Sequence, residues 1–241
     1  MISVIIPTYN EEKNIEKCLK SLEKQTIPRN KYEIIVVDGQ SKDKTVKIAK
    51  KYADKVIQQK SKGVGGARND GVAAAKYDLI ATTDADCIVL ENWLEESIKG
   101  LSEKHVVLVF GQLKPLEEKK TLSIYPFAFY LSGKVMCLLN RLNLMNITCG
   151  ANIAFKKHAF LKVGGFSDIP ISDDFEISLR IKKEGKIKFI NDMKINYNLR
   201  RIKQQGLYKG AILVELNNLK LLCGLKPIKK TDYARQNYDD A

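Results

Sequence analysis

The chain has 241 residues, 44% hydrophobic and 29% charged, with 15 Gly and only 6 Pro, which excludes a disordered, collagen-like or disulfide-stapled protein. A chain this long buries about three-quarters of its unfolded surface and holds a core without staples. The 41 Lys and Arg against 28 Asp and Glu give a net charge of +13, which calls for an anionic partner without choosing among nucleic acid, acidic lipid headgroups and phosphorylated substrates.

Strand and helix patterns alternate through the first hundred residues. Ile2–Pro7 predicts a strand rather than the apolar core of a secretory signal. Asn10 is then placed to cap a helix whose Ile15, Cys18, Leu19 and Leu22 share a face, with Glu11 and Glu12 in its first turn. Glu33–Val37 is a continuous β-branched run, as in a strand buried on both faces. A helix over Asp43–Tyr52, a short strand Lys55–Gln58, a small-residue helix Ala67–Lys76 and a strand Asp78–Thr83 follow. This alternation predicts an α/β fold with a single open, mostly parallel central sheet flanked by helices.

Beyond Leu90 the expected elements are a helix Glu91–Ser102 around Trp93, a strand Val106–Leu113, a helix Phe175–Gly185 and a strand pair Lys186–Asn191 and Lys194–Tyr197. An amphipathic helix near Leu207–Leu222 forms a C-terminal helical extension. The apolar, aromatic stretch 121–145 carries Lys134 and Arg141 on what reads as one helical face. Its uncharged runs fall short of the roughly 18–20 residues that span a bilayer. Cys18, Cys87, Cys137, Cys149 and Cys223 form no close pair, as expected of reduced thiols in a cytoplasmic protein.

Ligands of parallel α/β sheets bind beyond the carboxyl ends of the strands. Here those ends read Pro7-Thr8-Tyr9-Asn10-Glu11, Asp38-Gly39 and Asp84-Ala85-Asp86. A buried unpaired carboxylate is costly, so an Asp directly after an apolar strand either caps the next turn or serves a ligand. Asp84 and Asp86, two residues apart, suit a divalent cation that also takes phosphate oxygens. The run Lys62 to Asn69 lacks both the Walker and the dinucleotide spacing, yet a glycine turn feeding a helix can approach a diphosphate with Arg68 as counter-charge. Asp173 and Asp174 are adjacent; they form either the first turn of a helix or a pair in which repulsion raises one pKa toward proton transfer. Arg200-Arg201 reads as a phosphate clamp or as a solvated basic face.

Taken in order, these residues resemble the family-2 glycosyltransferases, enzymes of the GT-A fold, from Ser3 to about Lys203. The resemblance implies one domain over 1–203, with a nucleotide-sugar half (1–100) and an acceptor and catalytic half (101–203), followed by a helix and tail over 204–241. It implies a donor such as a UDP- or GDP-sugar on Pro7, Thr8, Tyr9, Glu11, Asp38, Gly66, Arg68, Asp84, Ala85, Arg200 and Arg201. Asp84 and Asp86 would serve Mn²⁺ or Mg²⁺, Asp86 directly. Gly150, Asn152, Gly165 and Phe166 would line the donor-sugar and acceptor region, and Asp174, paired with Asp173, would be the general base.

Two departures from the family pattern matter. Asp38 is followed by Gly39 where many members have a second acid, and Gln204-Gln205 is not followed by the Arg-Trp of processive synthases. The resemblance therefore implies metal-dependent inverting transfer of a single sugar to a hydroxyl of a saccharide or lipid-linked saccharide. A polyprenyl- or dolichyl-phosphate sugar synthase is the alternative, disfavoured because an ionised phosphate acceptor needs no base. Residues 127–145 are either a peripheral membrane contact at the inner face of the cell membrane or core and dimer contacts. A basic nucleic-acid-binding protein is a further alternative, but the lysines are dispersed and no nucleic-acid motif is present, so no nucleic acid is expected. A sugar nucleotidyltransferase would need a basic, glycine-rich loop after the first strand, where this chain has Tyr9-Asn10-Glu11-Glu12.

Overall fold

Ile2–Thr8 (β1) and Tyr32–Asp38 (β2) are buried along their whole length, the environment that continuous β-branched runs require. The computed structural model describes residues 1–116, 148–198 and 207–228. Successive residues of β1 and β2 alternate between two cores. Ile2, Val4, Ile6, Ile34 and Val36 face helices α1 (Ile15–Glu23), α2 (Thr45–Ala49) and α4 (Trp93–Leu101). Ile5, Ile35 and Val37 face α3 (Gly63–Ala74), α5 (Lys157–Lys162) and α6 (Asp173–Ile181). The period of two along each strand thus sorts side chains into helical layers above and below the sheet.

The remaining strands are β3 (Lys55–Gln58), β4 (Leu79–Thr82), β5 (Cys87–Val89), β6 (Val106–Pro115), β7 (Ile153–Lys156) and β8 (Lys186–Tyr197). Together they make one eight-stranded sheet in the order β3-β2-β1-β4-β7-β6-β8-β5. The half built from residues 2–82 is parallel, as expected. β7 then runs antiparallel to both β4 and β6, β6 runs parallel to β8, and β5 closes the far edge antiparallel to β8.

Several boundaries differ from expectation for physical reasons. Asn10 does not cap α1. It lies in a loop at φ 50°, where its Oδ1 accepts the Lys42 N–H and its own N–H donates to Ser41 Oγ. The helix opens at Ile15, with the Glu11 carbonyl accepting the N–H groups of Asn14 and Ile15, so Glu11 and Glu12 precede it. β5 was not expected, since three residues carry no readable periodicity. The expected strand pair over 186–197 is a single strand, β8, whose register on β6 slips between Ile190 and Lys194.

Helix α3 begins at Gly63, four residues earlier than predicted, and takes in glycines that intrinsically disfavour helix. Close approach explains them. A Cβ on Gly66 would stand 2.8 Å from the Ser61 backbone, and one on Gly71 would run into Ile5 Cγ2 and come within 3.1 Å of Val37 Cγ2. The last helix, α7 (Leu207–Leu222), inverts the amphipathic expectation: Leu216, Leu219, Leu222 and nearby Leu225 are exposed, whereas Asn217 and Asn218 are buried. The stretch 127–145, Lys134, Arg141, Cys137 and the tail beyond 228 lie outside the described residues. Among the described residues no helix is long and apolar enough to cross a membrane.

Gly71→Ala tests the seating of α3 on the sheet. Overpacking costs about 1–3 kcal/mol, which exceeds the gain of up to about 1 kcal/mol in helix propensity. The thermal unfolding midpoint should fall; an unchanged or raised midpoint would mean that α3 does not press on β1 at this point.

Candidate active site

Arg68 of α3 joins the segment after β4 to the start of α6. Its side chain is 4% exposed; Nη2 donates to Asp84 Oδ1 at 2.8 Å and Nη1 to Asp173 Oδ2 at 3.4 Å. The guanidinium carbon sits 5.6 Å from the centre of the Phe166 ring. The backbone of Gly150 closes over the group so tightly that a Cβ there would lie 2.6 Å from Arg68 Cζ. A buried guanidinium is costly unless carboxylates surround it, and here acids from both halves of the chain do so.

Asp173 and Asp174 occupy the first turn of α6, the helical arrangement that was one of the two expected of them. Asp174 Oδ2 accepts the Gly150 N–H at 2.7 Å, its Oδ1 accepts the Phe175 N–H at 2.8 Å, and its backbone carbonyl accepts Thr148 Oγ1 at 2.6 Å. Burial and then the neighbouring Asp173 charge push the Asp174 carboxyl up to about 6, against the lowering effect of the Gly150 bond. Asp173 is also raised by burial, with Arg68 opposing. A carboxyl poised near neutrality and held by backbone donors suits a group that takes a proton.

Asp84 and Asp86 flank buried Ala85 immediately after β4, both partly exposed. Among the described residues no three Asp, Glu, His or Cys side chains converge into a closed metal cluster. An open pair of hard oxygen donors fits a divalent cation that keeps water and phosphate oxygens in its remaining positions. Thr8 Oγ1 and Thr83 Oγ1, buried at the ends of β1 and β4, lack a hydrogen-bond partner, as groups beside a polar ligand site do. The residues present therefore fit Mn²⁺ or Mg²⁺.

Other expected site residues take different roles. The Asp38 carboxylate closes its own turn: Oδ2 accepts the N–H groups of Gln40 and Ser41, and Oδ1 accepts Ser41 Oγ. Pro7, Thr8, Tyr9 and Glu11 line the same row of strand ends, with the Glu11 N–H donating to Thr45 Oγ1 and its Oε2 accepting Asn14 Nδ2. Gly66 lies inside α3 against Ser61.

Asn152 is directed into the protein interior. It is 1% exposed, its Oδ1 accepts Trp93 Nε1, and its Nδ2 donates to the carbonyls of Gln112 and Met193. Gly165 and Phe166 lie beside Arg68, and Phe166 also lines a small cavity with Ser61, Gly66 and Asn69. Gly165 has φ +71° and leaves room for Asn69, whose amide bonds the Phe166 backbone in both directions. The Phe166 ring packs on Phe155 and Phe160. Arg200 and Arg201 lie outside the described residues.

Sequence reasoning missed the thiols and Thr148. Cys18 Sγ donates to the Asp84 carbonyl, and Cys87 Sγ lies 3.8 Å from Asp86 Oδ1. Burial raises the pKa of both thiols, so they stay protonated beside the acids. Only the position of Cys87 directly after the Asp84–Asp86 pair signalled this.

The chain belongs to glycosyl transferase family 2, whose family model matches residues 3–164. Glycosyltransferase AglE of Haloferax volcanii is 38% identical over 119 residues, which are 47% of this chain and 39% of that protein. Human dolichyl-phosphate beta-glucosyltransferase is 32% identical over 155 residues, covering 53% and 48% respectively. The chain thus spans less than half the length of these two relatives. Mannosyltransferase PcManGT of Pyrobaculum calidifontis, in complex with GDP-Man and Mn²⁺, superposes with a TM-score of 0.71 at 22% identity, over 94% of this chain and 65% of that one. TarS 1-349 of Staphylococcus aureus, in complex with UDP-GlcNAc, superposes with a TM-score of 0.64 at 22% identity, over 82% and 58%. The fold is the GT-A fold that the sequence implied.

Arg68→Met leaves buried Asp173 and partly exposed Asp84 without their counter-charge, at a cost of about 3–5 kcal/mol. The urea midpoint should drop accordingly. A loss below about 1 kcal/mol, the range of exposed ion pairs, would contradict the bridge.

Proposed function

We propose that the chain is a metal-dependent inverting glycosyltransferase that moves one sugar from a nucleotide-sugar donor to a hydroxyl of a saccharide or lipid-linked saccharide. The observation that carries this reading is that one buried arginine joins two sets of acids. Asp84 and Asp86 end a parallel strand, Asp173 and Asp174 open a helix, and Arg68 bridges the two. Membership of glycosyl transferase family 2 supports it, as do fold relatives captured with GDP-Man and with UDP-GlcNAc.

In this reading the strand ends of β1 and β2 receive the nucleoside, and Asp86 with Asp84 would hold Mn²⁺ or Mg²⁺ against the diphosphate. The cation, when bound, neutralises charge on the departing nucleoside diphosphate. Asp174, fixed by the Gly150 N–H, accepts the proton of the acceptor hydroxyl as its oxygen attacks the anomeric carbon in line. The new glycosidic bond forms as the bond to the diphosphate breaks. An already ionised phosphate acceptor would leave Asp174 without a task, which favours a hydroxyl. Arg200 and Arg201 are proposed to steady the leaving group, and 127–145 to contact a membrane surface.

Calorimetric titration with UDP, GDP and CDP, each with and without Mn²⁺, tests the donor site. One nucleotide should bind in a manganese-dependent manner, and Asp86→Ala should weaken that binding at least about tenfold. Unchanged affinity in the variant would remove Asp86 from the metal site.

Asp174→Asn should abolish transfer while sparing donor binding. In the unaltered protein, turnover should rise about tenfold per pH unit below about 6 and then level, because the base works only when ionised. The charged and titratable groups around it are Asp173, Arg68 and the Cys149 thiol, the last held protonated by burial and by the Asp174 charge. A flat profile across pH 5–7 would remove Asp174 from the base role.

A further inference from the structure

The turn that delivers Asp173 and Asp174 is an unusual one. Ser172, the residue before α6, has φ 61° and ψ 26°, the left-handed region that penalises any side chain. Its hydroxyl is buried without a partner, so no local side-chain bond holds it in that conformation. What orients the Ile171–Ser172 peptide lies on the C-terminal helix. Asn217 Nδ2 donates to the Ile171 carbonyl at 3.2 Å. The oxygen of the same amide accepts the Ile228 N–H at 2.8 Å, from a chain that has turned back at Gly224 with φ +69°. Asn217 is fully buried and works at both ends. Fixing the Ile171 carbonyl fixes the peptide plane on which the φ of Ser172 depends, and hence the direction in which α6 starts.

We propose that Asn217 is a positioning residue for Asp174, and that α7 is a brace for the acid-bearing turn and not an appendage. The proposal deepens the glycosyltransferase reading and rests on it for the role of Asp174. Asp174 is thereby held from two directions: Gly150 and Thr148 bind it directly, while Asn217 holds the peptide leading into its turn. The two hydrogen bonds of Asn217 go to Ile171 and Ile228, so donor affinity is expected to be independent of it.

The test uses the full chain and two readouts. Hydrogen exchange by mass spectrometry reports on residues 171–176 and 148–152. Release of nucleoside diphosphate from GDP-mannose and from UDP-N-acetylglucosamine, with Mn²⁺ and water as acceptor, reports on turnover. Asn217→Ala should speed exchange in both segments and lower kcat, each about tenfold, with the donor KM unchanged. Ile228→Pro removes the N–H that steadies the Asn217 carbonyl, together with the Ile228 side chain, while leaving the Asn217–Ile171 bond in place; it should give a weaker effect of the same kind, which keeps the test open if Asn217→Ala fails to fold. Adding Ser172→Gly to Asn217→Ala should restore exchange protection and kcat in part, because glycine holds the left-handed turn without a steric penalty. A role confined to docking α7 would show no such rescue. Unchanged exchange at 171–176 in both single variants, or no rescue by glycine, would overturn the brace. If the unaltered chain releases no nucleotide from either donor, these two sugars are removed as donors, the nucleotide titration decides the glycosyltransferase reading, and the exchange result still decides the brace.

Discussion

A guanidinium buried between two carboxylates holds this structure in its working form. Arg68 comes from a helix of the parallel half, Asp84 from the strand end beside it, and Asp173 from a segment 105 residues further along. Taking each charge out of water costs several kcal/mol, and only the opposite charge repays it. Neither side pairs all its charges alone: without α6 Arg68 would keep only Asp84, and without Arg68 buried Asp173 would have no counter-charge. The glycines around the bridge follow from the same constraint. A Cβ on Gly150 would strike Arg68, and one on Gly65 would stand 2.9 Å from Asp173 Oδ2.

The bridge also separates the roles of neighbouring acids. Asp84 and Asp173 touch the guanidinium, whereas Asp174 bonds backbone N–H groups of Gly150 and Phe175. Burial and the charge of Asp173 then lift the Asp174 carboxyl toward neutrality. Adjacent acids in different environments acquire different proton affinities, so one short segment holds both a charge paired with arginine and a carboxyl shifted toward neutrality.

Around this centre, polar residues that read as ligand contacts act as scaffold. Asn152 ties α4, β6 and β8 together through three bonds at 1% exposure. Asn69 clamps the backbone of Phe166, and the Phe166 ring in turn supports Arg68. Buried amides of this kind are tolerated because nearly all their donors and acceptors are satisfied, and full satisfaction makes them rigid. The buried Asn217 of α7 belongs to the same class.

The parallel half of the sheet was legible in the residues themselves, because a strand covered on both faces needs a continuous β-branched run and Ile2–Ile6 and Ile34–Val37 supply one. The acids of the site were legible for a related reason: Asp38, Asp84 and Asp86 follow such runs directly, where a core explanation fails. What those residues touch was not legible. Nothing near Asp173 in the chain announces Arg68, nothing near Asn152 announces Trp93, and nothing in the amphipathic pattern of α7 announces that Leu216, Leu219 and Leu222 are exposed. Local periodicity and strand-end chemistry are properties of neighbours in the chain, so the sequence alone determined the α/β class and the row of strand-end acids. Which acid meets the arginine, which carboxyl is driven toward neutrality and which asparagine holds a turn depend on contacts between distant segments, and only the tertiary structure decided them.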